Sequence, residues 1–278
     1  MRCFINSLYH PDRLIKHKEQ LTWASNIFDE IVTVYENYPS EVILELVRHF
    51  PKLNPSVFSA KDKNTAIDEG RNLLLSSFYN TDDSWGAFLD DDVILYPESN
   101  MQFFQNINLY NDDLKGVAKI CALNPAFRGV GAWRKASLQP EWQQELDFFY
   151  GWTVGSFMII KNLKKTHNAE IYYPPVFPDG TMDFLVTVAE QLNLGTYWCR
   201  QLVNKELTAS KNQMTWVKDL SFGNTMKEKR NATMLHHKAY LYNTYPQYVR
   251  TRGGKSNFSI PLVYDKFAIP KKFKIHVR

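Results

Sequence analysis

Three consecutive carboxylates, Asp90, Asp91 and Asp92, stand between two apolar runs, residues 85–89 and 93–95, and Pro97 ends the second run. Short apolar segments bounded by turn residues predict buried strands. Carboxylates at the end of a buried strand are costly to desolvate unless a cation meets them. Alternate side chains on an extended segment share a face. Asp90 and Asp92 therefore offer two hard oxygen ligands at i and i+2, a set suited to a divalent ion such as Mn²⁺ or Mg²⁺. A solvated acidic turn is the plainer alternative. The apolar runs on both sides hold the cluster against a core and favour the metal.

Further along the chain are other groups with usable chemistry. Residues 63–75 predict a helix that brings Asn64, Arg71 and Asn72 within two turns of one another. The Arg71 guanidinium suits a phosphate or an aspartate of the cluster. Residues 124–135 read as a long Gly-rich loop with Arg128, Trp133, Arg134 and Lys135, which combines cations with a stacking surface. Residues 148–160, with Gly151, Trp152 and Gly155, predict a strand that something approaches closely. A helix over 181–192 carries Asp183 in its first turn, where an acid serves the helix dipole equally well. His236 and His237 lie in a basic end that also holds Arg250, Arg252 and Lys255.

The elements that must position these groups begin with strands at 2–6 and 31–35, joined by a helix. Asp12 is its expected cap, and Leu14, Ile15, Leu21, Trp23 and Ile27 its expected apolar face. Strand–helix–strand at this spacing predicts a parallel sheet, whose ligands bind at the carboxyl ends of the strands. Asn6, Ser7 and Glu36 fall there. Residues 40–50 predict a helix broken over 50–55, 114–123 a strand, and 195–199 the last strand of the sheet.

Composition separates the two ends. Residues 211–278 hold 14 Lys or Arg against 3 Asp or Glu, a net +11, whereas residues 1–210 hold 19 against 26, a net −7. The basic end predicts a polyanionic partner: nucleic acid, an anionic membrane surface or ligand phosphates. Three scattered cysteines fit neither a zinc spacing nor a disulfide framework and predict a reducing, cytoplasmic setting. No secretion signal and no membrane-spanning stretch is read in the sequence.

The order of these features resembles the nucleotide-sugar glycosyltransferases of the GT-A fold. The resemblance rests on the βαβ opening, Gly70-Arg71-Asn72 on a helix and the Phe-Leu-Asp-Asp-Asp-Val run as a DxD motif. A Gly-containing stretch at 152–160, an acid at a helix start and a late His continue it, over roughly residues 1–240. The opening up to Arg13 also looks like the start of lipopolysaccharide and procollagen glycosyltransferases. Size and the basic end look, in general character, like the phage enzymes that glycosylate hydroxymethylcytosine in DNA.

The resemblance implies an α/β class: a Rossmann-type, mostly parallel sheet flanked by helices, with a basic C-terminal extension. It implies a catalytic unit over 1–210, with a donor half at 1–123 and an acceptor half at 124–210, which residues 211–278 close. Asp92 would ligate Mn²⁺ or Mg²⁺ against the donor diphosphate, with Asp90 beside it and His236 or His237 completing the set. Asn6, Ser7, Arg13, Glu36, Asn64, Arg71, Asn72, Asp90 and Asp91 would bind the donor, a UDP-sugar. Asp183 would be the base if the reaction inverts, and would only position the acceptor if it retains. Arg128, Trp133, Arg134, Lys135, Trp152, Arg250, Arg252 and Lys255 would face the acceptor, a modified cytosine in double-stranded DNA or, alternatively, a saccharide. A non-enzymatic nucleotide- or DNA-binding module is the third reading. It is disfavoured because such a module gains nothing from three buried carboxylates.

Overall fold

The computed structural model describes residues 1–59, 66–97, 99, 101–112, 114–123, 145–150, 157–170, 172, 194–207 and 272–276. In chain order the elements are β1 (Arg2–Leu8), α1 (Pro11–Ser25), β2 (Glu30–Glu36), α2 (Ser40–His49), β3 (Leu53–Phe58), α3 (Ala66–Tyr79), β4 (Trp85–Asp90) and β5 (Val93–Leu95). They continue with α4 (Met101–Gln105), a 3-10 turn (Ile107–Tyr110), β6 (Val117–Leu123), β7 (Glu145–Tyr150), β8 (Phe157–Lys161), α5 (Leu163–His167), β9 (Gly195–Glu206) and β10 (Lys272–His276).

The strands lie in the order β10-β7-β9-β6-β8-β4-β1-β2-β3, and β5 pairs with β9. The first four strands of the long sheet are parallel as expected: β1 pairs in parallel with both β2 and β4, and β2 with β3. Beyond β4 the pairing is mixed. β8 is antiparallel to β4 and β6, whereas β6 and β9 are parallel. From β1 the chain first winds outward to β2 and β3, then returns to the other side as β4. The gap between the carboxyl ends of β1 and β4 is therefore the point where strand order reverses, the place where open α/β sheets bind ligands.

Alternation along the strands builds two apolar layers. Cys3 and Ile5 face the α1 side with Leu21, Ala24 and Phe28, while Phe4 faces the α3 side with Leu74, Phe78 and Phe88. Phe4 stacks on Phe88 at 4.8 Å between ring centroids and meets Phe78 edge-on at 5.3 Å. Gly86 makes this possible, since a Cβ there would come within 2.8 Å of the Phe78 ring.

Several sequence expectations are corrected. Residues 50–55 do not simply break the chain: β3 runs through Pro55, tolerated because β3 is the last strand at its edge of the described sheet. The single strand expected over 148–160 is two strands, β7 and β8, in different places in the sheet. The strand expected to end at residue 199 extends to Glu206, and β10 follows it in sequence to pair antiparallel with β7. The cap of α1 is His10, whose ring accepts from the Asp12 amide at 3.3 Å, not Asp12 itself. Pro11 takes the first helical position, where its missing N–H costs nothing, so the cap falls one residue earlier. Ile15 is 70% exposed, because the inward stripe of α1 is His17, Gln20, Leu21 and Ala24. Among the described residues no helix is long and apolar enough to cross a membrane.

Candidate active site

β4 ends at Asp90, and Asp91 and Asp92 form the turn into β5. The three carboxylates therefore do not line up along one extended segment, and each finds a different setting. Asp91 is buried at 4% exposure and accepts from the Ser7 hydroxyl at 2.8 Å. The Arg13 guanidinium, one turn into α1, lies 2.7 Å from Asp91 Oδ1 and 2.9 Å from Asp92 Oδ2. Asp90 stands apart, 42% exposed, with Arg71 of α3 donating to its Oδ1 at 2.9 Å.

Two basic groups thus face three acidic ones at the carboxyl end of the sheet. Desolvation raises the Asp91 carboxyl, with Arg13 opposing and Asp92 reinforcing the rise. Desolvation also raises Asp90 against the pull of Arg71, and its open side tempers the effect. Burial alone would lower Arg13; the field of Asp91 and Asp92 more than offsets that, so it is held firmly charged.

Beside Asp90 a small pocket with a cavity volume of about 20 Å³ opens at the reversal point between β1 and β4. Its rim is Asn6, Arg71 and Asp90, and its floor includes Phe4, Leu74 and Met158. Asn6 pairs in register with Asp90 across the two parallel strands. Gly70 permits this rim: a Cβ there would sit 2.5 Å from Asn6 Oδ1.

The structure brings together most of the donor-side residues singled out in sequence. Ser7, Arg13, Asp91 and Asp92 form one cluster; Asn6, Arg71 and Asp90 form a second around the pocket. Arg71 meets an aspartate of the cluster, one of the two roles its position suggested. Glu36 ends β2 nearly buried, and burial followed by the field of Glu69 raises its carboxyl. Asn72 lies half-buried on α3. Asn64, Arg128, Trp133, Arg134, Lys135, Trp152, Asp183, His236, His237, Arg250, Arg252 and Lys255 lie outside the described residues.

Sequence reasoning missed the polar groups behind the turn. His17 and Gln20 are both fully buried on α1. The signal was there: Arg13, His17, Gln20 and Ala24 recur at helical spacing, three polar side chains on a face that must be inward.

Asp90 and Asp92 suit a hard divalent cation by the chemistry of their oxygens. Among the described residues no three His, Cys, Asp or Glu side chains converge as a complete cation site. Mg²⁺ at phosphate sites is commonly held by one or two carboxylates together with substrate phosphate and water, and such oxygens also suit Mn²⁺.

Neither a protein-family profile nor a curated protein matches this sequence. Among solved structures the chain is similar to the mannosyltransferase PcManGT from Pyrobaculum calidifontis in complex with GDP-Man and Mn²⁺. Identity is 13%, with 87% of this chain and 64% of that one covered, at a TM-score of 0.53. What the two share is the fold. A structure of S. aureus TarS 1-349 also aligns, at 13% identity, over 87% of this chain and 65% of that one, with a TM-score of 0.46. The chain spans less than two thirds of the length of either.

Proposed function

We propose that this protein is a metal-dependent glycosyltransferase that moves a sugar from a nucleotide-sugar to a hydroxyl acceptor. The observation that carries the reading is the acidic turn at the reversal point of the sheet, with Asp90 on the rim of a pocket and two arginines within hydrogen-bonding distance. The fold shared with a mannosyltransferase that binds GDP-Man and Mn²⁺ supports it.

Asp90 and Asp92 would hold Mn²⁺ or Mg²⁺, with His236 or His237 as a candidate further ligand. Such an ion supplies Lewis-acid stabilisation of the charge that develops on the departing diphosphate. Arg71 lies where it can exchange Asp90 for a donor phosphate, and its fork suits that exchange. Arg13 keeps the Asp91–Asp92 turn from repelling itself apart before the donor arrives. Phe4, Leu74 and Met158 beside Asp90 would give the donor an apolar wall. In an inverting reaction Asp183 would take the proton from the acceptor hydroxyl.

The donor we propose is UDP-linked, and the acceptor a hydroxymethylated or already glycosylated cytosine in double-stranded DNA, of the kind phage enzymes modify. The acceptor reading rests on the +11 net charge of residues 211–278. The loop carrying Trp133, Arg128, Arg134 and Lys135 offers stacking and phosphate contacts for an extruded base, and equally for a sugar.

The experiment is diphosphate release from UDP-sugars with Mn²⁺, offered hydroxymethylcytosine duplex or a saccharide acceptor, across a salt series. Transfer to duplex is expected, falling steeply with salt, with a shallower slope after Arg250, Arg252 and Lys255 are changed to Ala. Release with saccharide alone moves the acceptor. No release from any nucleotide-sugar overturns the transferase.

A further inference from the structure

The acidic turn is held from behind by backbone contacts that its carboxylates do not make. The Gln20 side-chain amide donates to the Asp90 carbonyl and to the Val93 carbonyl, both at 2.6 Å. These are the first and last residues of the turn, so one NH₂ group spans it. Leu207 N–H donates to the carbonyl of Asp92 at 2.7 Å, pinning the turn to the end of β9. Buried carbonyls must all find donors, and here α1 and the residue just after β9 provide them.

The Gln20 amide is itself fixed. With both its N–H groups used, its Oε1 must accept, and His17 Nδ1 lies 3.3 Å away. That makes Nδ1 the protonated nitrogen and leaves Nε2 to accept from the Tyr35 hydroxyl at 3.0 Å. His17 is uncharged at neutral pH: burial pushes it down to about 4, with Gln20 and the backbone of Asp91 opposing. Tyr35 stands against Tyr38, whose hydroxyl lies 2.6 Å from Ser7 Oγ, and Ser7 donates to Asp91. The chain of contacts leaves the turn through its backbone and returns to it through a carboxylate.

We propose that Gln20, oriented by His17, is a positioning residue that sets the turn geometry required for Asp90 and Asp92 to bind a divalent cation together. Gln20 touches neither carboxylate group; it fixes the peptide planes from which they project. Arg13, seven residues earlier on the same face, neutralises the carboxylates, so α1 governs the turn by charge at one point and by geometry at the other. The inference rests on the reading of the turn as a metal site.

The test uses the full chain and Mn²⁺ alone, followed by electron paramagnetic resonance, which reports both bound fraction and ligand symmetry. Gln20→Met keeps length and packing but removes both donors. It should weaken Mn²⁺ binding about tenfold or more, as loss of an outer-shell partner does, and broaden the spectrum of the bound ion. Cooperative melting should remain. Gln20→Asn, one methylene shorter, reaches one carbonyl at most and should fall between; it carries the test if Gln20→Met does not fold. Wild-type Mn²⁺ affinity and spectrum in whichever variant folds overturn the proposal. So does failure of both to fold, which makes Gln20 a folding residue only. If the wild type binds no Mn²⁺, the metal-site reading itself fails, a result distinct from equal binding by wild type and variant.

Discussion

Changing Asp92 to Asn should lower sugar transfer by at least ~10²-fold while leaving the fold intact. The substitution preserves shape and removes one anionic oxygen ligand. Arg13 remains 2.7 Å from Asp91, Gln20 still spans the turn, and Leu207 still donates to the backbone at position 92, so the turn has no cause to collapse. Initial rates with saturating Mn²⁺, alongside circular dichroism, check it. Chelator should reduce the wild type to a comparable level. A variant as active as the wild type, with or without chelator, rules out the metal role of Asp92.

Arg13→Met should be the most destabilising change at the site. It leaves Asp91 buried beside Asp92 with its main cation gone. Removing one partner of a buried ion pair costs about 3 kcal/mol or more. The loss carries a pH signature. In the wild type Arg13 already restrains an Asp91 carboxyl that burial raises, so its removal raises that carboxyl further. A carboxyl whose folded value lies above its unfolded one contributes stability below the unfolded value and loses it as pH rises through the folded value. The variant should therefore approach wild-type stability near pH 4 and fall behind as pH rises to 7. Urea unfolding at both values measures the gap. A gap that does not widen with pH would mean that the lost packing of the Arg13 stem, and not the charge of Asp91, dominates.

The parts of this site that were legible in sequence depend on short-range pattern. Apolar runs around three aspartates announce strands ending in charge, and the βαβ opening fixes which ends of the strands meet. Arg71 could be assigned to a phosphate or an aspartate because its helix immediately precedes β4. What each aspartate does was not legible. Alternation along a strand put Asp90 and Asp92 on one face, but the strand stops at Asp90. The backbone then bends toward donors on α1 and just beyond β9, 70 or more residues away in sequence in either direction.

His17 and Gln20 escaped for a related reason. A polar residue on a helix reads as solvent-facing until the partner that satisfies it is known, and theirs are Tyr35 and the turn itself. Pro55 misled in the opposite sense. A proline argues against a strand only where a neighbour needs its N–H, and among the described residues β3 is the edge strand, paired only with β2. Residues 148–160 looked continuous because both halves are apolar and aromatic. Only the sheet order separates β7, beside β9, from β8, beside β4.

Crystals soaked with Mn²⁺ and UDP-sugar, with diffraction data collected at the manganese absorption edge, would locate the ion and the donor. One anomalous peak is expected within coordinating distance, about 2.2 Å, of carboxylate oxygens from both Asp90 and Asp92. The diphosphate should touch that ion, with Arg71 turned from Asp90 toward a phosphate and Gln20 still bonded to the carbonyls of Asp90 and Val93. A manganese peak away from the turn, or a nucleotide bound with the Arg13 and Arg71 pairs unchanged and no metal at Asp92, would contradict it.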